Sequence, residues 1–175
     1  MNLCDMNSDN ITMNIDGIDI EMQHPICYGK EYNRWLVSKC GKVWSLSRNK
    51  FIKGAVTHHM TKKGKRVVKQ KFLLCTPIDF WGDGSGLLQG KNRIRRNISL
   101  HSMVMDTWKP LYDNPPEGVT WEEWEKVRDL PSIYEYFIKS GSIDHIDDNP
   151  LNNHIDNLRR VNDLDNQNTR KAKGI

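Results

Sequence analysis

The stretch SIDHIDDNPLNNHIDNLRRVNDLDNQNT, residues 142–169, decides the fold of this chain. It holds seven asparagines among two histidines and six aspartates. Asn and Asp side chains compete for nearby backbone hydrogen bonds, which makes them poor in the interiors of helices and strands. The stretch is therefore expected to be rich in turns and capped ends that join short regular elements.

The order of those elements follows from the local pattern. SIDHID (142–147) alternates as a short strand does, and NLRRV (157–161) has the character of a second strand. DDNPLNN (147–153) is rich in the residues that favour turns. Asn162 is a good N-cap with Asp165 three residues later, which predicts a short helix over 163–171. The segment predicts strand, loop, strand and helix.

This layout predicts a metal site with a base beside it. A helix packed across a hairpin brings its first turn close to the strands, so Asn166 is expected to face Asp144. Carboxylate and amide oxygens are hard donors that suit Mg²⁺. His145 is the natural general base, since an imidazole titrates near neutral pH. An EF-hand calcium loop is excluded, because the required Gly and Glu positions do not fall in register.

The residues from 144 to 168 closely resemble the HNH nuclease signature of phage and intron-encoded homing endonucleases. The matching positions are Asp144, His145, Asn149, Asn152, Asn153, Asn157, Leu158, Arg159 and Asn166. Upstream, YNRWLVSKCGKVWSLSRNKFIK (32–53) looks like a small N-terminal module that often precedes such domains. NISLHSMVMDTW (97–108) is similar to the strand-and-helix lead-in of the same family.

The resemblance implies roles for individual residues. Asp144 and Asn166 would hold a divalent metal, Mg²⁺ first and Mn²⁺ second, while His145 activates water. Asn157 would pin the loop through backbone hydrogen bonds and so orient His145. Two positions depart from the family pattern: Asp148 stands where Gly is common, and Arg160 stands where Trp is usual.

Pattern and resemblance together predict an α+β fold. An N-terminal antiparallel β-hairpin region would precede a ββα-metal (HNH) nuclease domain with a helical insertion. The predicted units are an acidic extension (1–25), a β-rich DNA-binding module (26–97) and the nuclease domain (98–175, with the insertion at 109–141).

The rest of the chain supplies the expected local elements. Hairpins are predicted over 34–47 and over 58–74, the second with Lys63 and Gly64 at its tip. A Gly-rich loop (77–92) follows, and residues 93–108 begin as a basic strand and become helical. Thr120 and Glu123 form a capping-box pattern, and a short strand is expected over 15–20. His101 is interpreted as a packed histidine and His154 as a surface one.

The charge distribution indicates a nucleic-acid partner. The chain has 175 residues and a net charge of +4, and residues 1–24 contain five acidic residues and no Lys or Arg. Basic residues cluster in the middle, as a binder of the phosphate backbone requires. The candidate DNA-binding residues are Lys62, Lys63, Lys65, Arg66, Lys69, Lys71, Arg93, Arg95 and Arg96. A solvated sheet edge that opposes aggregation is the alternative.

The composition also indicates where in the cell the protein is expected. No apolar run approaches the roughly 20 residues that span a bilayer, and the N-terminus lacks a signal pattern. The four cysteines form no C-x-x-C pair, which favours free thiols over a zinc site or a disulfide framework. A cytoplasmic protein is expected, in the host cell if the gene is phage-encoded.

The leading hypothesis is a metal-dependent endonuclease of double-stranded DNA, of the phage homing type, that leaves 3′-hydroxyl and 5′-phosphate ends. It would act without a membrane, as a monomer that nicks one strand or as a homodimer that cuts both. The alternative is a non-catalytic DNA-binding regulator with a vestigial HNH fold.

Overall fold

A computed structural model of the chain describes residues 10–27, 30–60, 66–77 and 93–162. The strands are β1 (Ile11–Ile15), β2 (Ile18–Gln23), β3 (Ile26–Cys27), β4 (Lys30–Glu31), β5 (Trp35–Ser38), β6 (Val43–Ser45), β7 (Lys50–Ile52), β8 (Ala55–Met60), β9 (Arg66–Pro77), β10 (Arg93–Ser99), β11 (Gly141–His145) and β12 (Leu158–Asn162). The α-helices are α1 (Leu100–Trp108), α2 (Trp121–Val127) and α3 (Pro131–Ser140). This arrangement of antiparallel sheets and separate helices is an α+β fold.

The N-terminal sheet has the strand order β1-β2-β5-β6-β7. The hairpin expected over 34–47 is confirmed, because β5 and β6 pair with Trp35 opposite Ser45. The single strand expected over 15–20 is wrong. Asp16 (φ 55°) and Gly17 (φ 80°) form a tight turn between β1 and β2. Asp-Gly suits a turn in which both residues have positive φ, so the acidic segment folds back as a hairpin.

The second sheet, which we call the basic sheet, has the order β10-β9-β8. It contains the second expected hairpin, with His58 opposite Val68. The tip at Lys63 and Gly64 and the Gly-rich loop after Pro77 lie outside the described residues. Phe72 and Leu74 of β9 are buried, whereas Leu73 between them is 53% exposed. One face of the basic sheet therefore packs on the core and the other faces outward.

Helix α1 follows β10 without a break, as the sequence predicts. Its residues Leu100, Met103 and Val104 are buried in a hydrophobic core that also contains Val37 of β5 and Leu158 of β12. The core thus draws on segments assigned to both the DNA-binding module and the nuclease domain. The proposed boundary between 97 and 98 stays a prediction.

Helices α2 and α3 occupy the segment before β11. The predicted capping box is present: the Thr120 amide donates to Glu123 Oε2 (2.9 Å), and the Glu123 amide donates to Thr120 Oγ1 (3.3 Å). Trp124 is fully buried, and its Nε1 donates to the Tyr112 carbonyl (3.0 Å). The part of the chain that the structure describes has no helix with the length and apolarity to cross a membrane.

Candidate active site

Strands β11 and β12 and the loop between them form a hairpin, which we call the C-terminal hairpin. Its strands pair antiparallel, with Asp144 opposite Arg159 and His145 opposite Leu158. Asp144 is 5% exposed and His145 is 8% exposed. Two adjacent ionisable residues are therefore almost fully withdrawn from water at the end of one short strand. This is unusual enough to ask what each side chain contacts.

The Asp144 carboxylate is paired with a guanidinium. Arg159 donates to its Oδ2 from Nη2 (2.9 Å) and from Nε (3.2 Å). The same Arg159 donates from Nη1 to Glu117 Oε1 (3.1 Å). The hydrogen bonding of Arg159 to Asp144 is the main reason that the pKa of Arg159 is raised. A carboxylate buried without such a partner would carry a large desolvation cost.

The neighbouring Arg160 links the hairpin to α1. Its Nη2 donates to Asp106 Oδ1 (2.7 Å) and to the Lys109 carbonyl (3.3 Å). The Arg160 carbonyl accepts from the Glu117 amide (2.9 Å), so the segment before α2 lies against β12. Arg160 therefore replaces the packing aromatic of the family pattern with an ion pair.

The His145 ring contacts two side chains. Its Nε2 lies 3.2 Å from Asn153 Oδ1. The ring of His101 meets it edge to face, with centroids 5.6 Å apart. Burial, reinforced by the charges of Lys69 and His145, lowers the pKa of His101 to about 4. His101 is thus neutral at neutral pH, and it packs against the predicted base, a proximity that the sequence did not predict.

Asn157 is the last residue of the loop, directly before β12. It donates from Nδ2 to Asp147 Oδ1 (2.8 Å) and to the Asn152 carbonyl (2.8 Å), and it accepts from the Asp147 amide (3.0 Å). These bonds join the two ends of the loop, and none of them reaches His145. The orienting role expected for Asn157 stays a prediction.

The other polar residues of the loop bond to one another. Asp147 accepts from Asn152 Nδ2 (2.7 Å) and from the Asn149 amide (2.8 Å), and these bonds lower its pKa. Asp148 has φ 60°, the left-handed conformation that Gly adopts most easily. Asp tolerates it better than most residues, so the departure from the family pattern keeps the turn.

The N-terminal sheet supports this loop. The Ile155 amide donates to the Lys39 carbonyl (2.8 Å), in the turn between β5 and β6. Gly41 in that turn has φ 77°, and a Cβ there would lie 3.4 Å from Asn153 Cβ and 3.2 Å from Leu100 Cδ2. Sequence reasoning gave this module only a DNA-binding role. Gly41 in the KCGK turn is the signal in the sequence that another part of the chain approaches the backbone closely there.

The expected metal ligands are described only in part. Asp144 is placed, whereas Asn166 and the helix expected over 163–171 lie outside the described residues. Within the described ranges no group of three or more His, Cys, Asp or Glu side chains converges on a metal position. A single buried carboxylate nevertheless suits Mg²⁺, which keeps several waters and takes only one or two protein carboxylates.

Several of the expected DNA-binding residues also fall outside the description. Lys62, Lys63 and Lys65 are not described, nor are the side chains of Arg66, Arg93 and Arg95. Lys69, Lys71 and Arg96 lie on β9 and β10. Lys69 and Lys71 alternate with buried Phe72 and therefore belong to the outward face of the basic sheet. The charge of Lys69 contributes to lowering the pKa of His101, so Lys69 lies within electrostatic reach of the histidine pair, His101 and His145.

Comparisons with known proteins agree with the sequence resemblance. Residues 133–168 match the family model for HNH endonuclease, which confirms the HNH signature in this segment. A solved structure, titled "DNA binding and cleavage by the HNH homing endonuclease I-HmuI", is 20% identical, with a TM-score of 0.45. The match covers 87% of this chain and spans about 60% of that chain. This TM-score is too low to establish a shared architecture. No curated protein matches the sequence significantly.

Proposed function

We propose that this chain, which carries an HNH endonuclease segment, is a divalent-metal-dependent DNA endonuclease of the homing type, encoded by a phage. The observation that carries the proposal is the adjacent burial of Asp144 and His145 in the C-terminal hairpin of that segment. A structural hairpin has no need to withdraw a carboxylate and an imidazole from water together. Ionisable side chains are seldom this deeply buried, which marks the pair as a candidate site.

Asp144 and Asn166 are the residues proposed to hold the metal, with Mg²⁺ preferred and Mn²⁺ accepted. Bound there, the cation would supply the positive charge that the scissile phosphate and the departing 3′-oxygen require. Arg159 holds Asp144 Oδ2 in place from two nitrogens, and Glu117 holds Arg159 in turn. Through these bonds the carboxylate keeps one orientation before any ligand arrives.

His145 is proposed to accept a proton from the attacking water. The ring is fixed between Asn153 and His101, so it does not have to be ordered when the substrate binds. His101 is neutral and adds no second positive charge beside the imidazolium that forms. Attack on the side opposite the 3′-oxygen would leave a 3′-hydroxyl and a 5′-phosphate.

Double-stranded DNA is the proposed substrate, held by the outward face of the basic sheet. Lys69 and Lys71 on that face are cations of the kind that contact phosphates. Lys69 lies within electrostatic reach of His101, which packs on His145, so a DNA backbone held at Lys69 would run toward the base. One chain carries one HNH segment, so a monomer would nick one strand and a homodimer would cut both.

The test is the relaxation of a supercoiled plasmid in the presence of Mg²⁺ or Mn²⁺. The wild-type protein is expected to nick it, and His145→Ala to lose at least about 100-fold in rate, because general base catalysis is worth that much. DNA binding by the variant should be retained. His154→Ala is the matched control, since it removes a partly exposed histidine from the same loop.

Two results would contradict the proposal. If wild-type protein binds DNA but relaxes no plasmid with either metal, the chain is a DNA-binding regulator with a vestigial site. If His145→Ala cleaves as fast as the His154→Ala control, the base has been misassigned. Sequencing the ends of the cleaved DNA would identify the target and the strand outcome in the same experiment.

A further inference from the structure

We propose that Asn153 is a positioning residue that fixes the tautomer of His145, with the proton on Nε2 and Nδ1 left to accept a proton from water. The inference rests on the proposed function of His145 as the base. It assigns to Asn153 the orientation of the ring, whereas Asn157 maintains the loop.

The orientation of the Asn153 amide follows from its two hydrogen bonds. Its Nδ2 donates to the Leu151 carbonyl (3.1 Å), and its Oδ1 lies 3.2 Å from His145 Nε2. A carbonyl oxygen can only accept, so the NH₂ group of Asn153 must face Leu151. The amide oxygen then has to face the histidine, and the reverse orientation would place two acceptors against each other at Leu151.

The tautomer of His145 follows from the same geometry. An amide oxygen has no proton to donate, so Nε2 must be the donor in this bond. In a neutral imidazole the other nitrogen, Nδ1, is then unprotonated and is the acceptor. Among the described residues, Nδ1 of His145 has no hydrogen-bond partner, which leaves it available to a water molecule.

Asn153 is well placed to impose this choice because it is itself fixed. It is 4% exposed, so water does not compete for its oxygen. Its backbone amide donates to the Leu151 carbonyl (3.2 Å), and its Cβ lies against the turn at Gly41. A group held by the loop on one side and by the N-terminal sheet on the other presents its oxygen to His145 in one direction.

Asn157 does not have these contacts. Within the described ranges, its side chain bonds to two residues of the loop, Asp147 and Asn152. Losing it would loosen the loop as a whole, and the histidine would be affected indirectly. Asn153 alone of the two touches the imidazole, so only its removal should change where the imidazole proton lies.

The experiment reads the tautomer directly, by long-range ¹H–¹⁵N correlation spectra of ¹⁵N-histidine-labelled full-length protein at pH 8 without metal. The His145 signals are identified by their absence in His145→Ala. In wild type the spectrum should show His145 protonated at Nε2. In Asn153→Ala the protonated nitrogen should change to Nδ1 or become a mixture. Asn153→Asp loses the bond to the Leu151 carbonyl but keeps an acceptor at Oδ1, which should retain the wild-type pattern.

Cleavage kinetics give the second reading. Asn153→Ala should lower kcat by about 10- to 100-fold, because the imidazole loses the partner that orients it. The KM for DNA should stay unchanged. Asn149→Ala is the matched control. It removes the acceptor of the Leu151 amide bond in the same loop but does not contact His145. The control should retain the wild-type tautomer and most of the kcat.

Each arm has a result that overturns the proposal. The proposal is overturned if His145 of the wild-type protein carries its proton on Nδ1. It is also overturned if Asn153→Ala folds and keeps the proton of His145 on Nε2. If Asn153→Ala does not fold, Asn153→Asp decides: loss of the Nε2 proton there overturns the proposal, and its retention supports it. The spectra need no activity, so a wild-type protein that fails to cleave DNA would refute the function and leave this test intact.

Discussion

The cations of the C-terminal hairpin differ from those of the basic sheet in what they contact. Arg159 is bonded to Asp144 and Glu117, and Arg160 is bonded to Asp106. Lys69 and Lys71, in contrast, have no ion-pair partner among the residues that the structure describes. Positive charge is therefore used inside the hairpin to neutralise the protein's own carboxylates. We expect the charge of Lys69 and Lys71 to meet an anion from outside the protein instead.

This contrast separates the structural cations of the molecule from those that can bind a partner. A guanidinium with its donors already bonded has little left for a phosphate, and moving it would expose a buried carboxylate. A lysine on an outward sheet face loses nothing when it binds one. The first group is expected to govern the stability of the site, and the second the affinity for DNA.

The largest expected effect is on folding stability, from breaking the buried ion pair. Arg159→Met should lower the free energy of unfolding by about 3 kcal/mol, because Asp144 stays charged and buried but loses both hydrogen bonds from Arg159. The measurement is urea unfolding at pH 7. The double variant Asp144→Asn with Arg159→Met should recover part of the loss, since no uncompensated charge remains.

An exposed ion pair provides the matched control. Lys39 and Glu21 are paired at 2.6 Å, with side chains 48% and 38% exposed. Glu21→Gln should cost less than about 1 kcal/mol, because water solvates the charge that is left. Equal losses for Glu21→Gln and Arg159→Met would mean that the pair in the hairpin is not buried as described.

The second effect tests His101, which packs on His145 and responds to the charge of Lys69. Burial lowers the pKa of His101 from its ordinary value of 6.5 to about 4. Between pH 4 and pH 6.5, His101 is therefore protonated in the unfolded chain but neutral in the folded chain. The stability is full above pH 6.5 and falls as the pH drops toward 4.

The loss that His101 contributes between pH 7 and pH 4.5 should be about 2 kcal/mol. His101→Gln removes the titrating group and should show a pH dependence that is smaller by this amount in urea unfolding. All other groups titrate in both proteins, so the difference isolates His101. Parallel curves for the two proteins would show that His101 is not kept neutral by burial.

Local signals in the sequence were enough for much of the fold. The β5–β6 hairpin, the change from strand to helix at Leu100 and the capping box at Thr120 depend on residues within a few positions of each other. The turn at Asp16 and Gly17 carries an equally local signal, because Asp-Gly favours a two-residue hairpin turn. The pairing of β11 with β12 followed from the turn chemistry between them.

The contacts that complete the site could not be predicted in this way. Glu117 reaches Arg159 across 42 residues, and Gly41 meets Asn153 across more than 100 positions of sequence. His101 packs on His145 because α1 contacts the C-terminal hairpin. Such proximities depend on how elements pack, and no spacing within one element encodes packing between distant ones. The sequence therefore identified the candidate base but not the residues that hold it.

The smallest expected effect concerns the outward lysines and returns to the contrast between paired and unpaired cations. Lys69→Ala and Lys71→Ala should each weaken DNA binding by a similar factor for every sequence tested. Each should also reduce the slope of log affinity against log salt concentration by about 1, because one fewer counterion is displaced.

Lys39→Ala is the control. Its charge is already paired with Glu21, so the slope should not change. If Lys39→Ala lowers the slope as much as Lys69→Ala does, pairing within the protein does not determine which cations meet DNA. The division between the two regions would then fail.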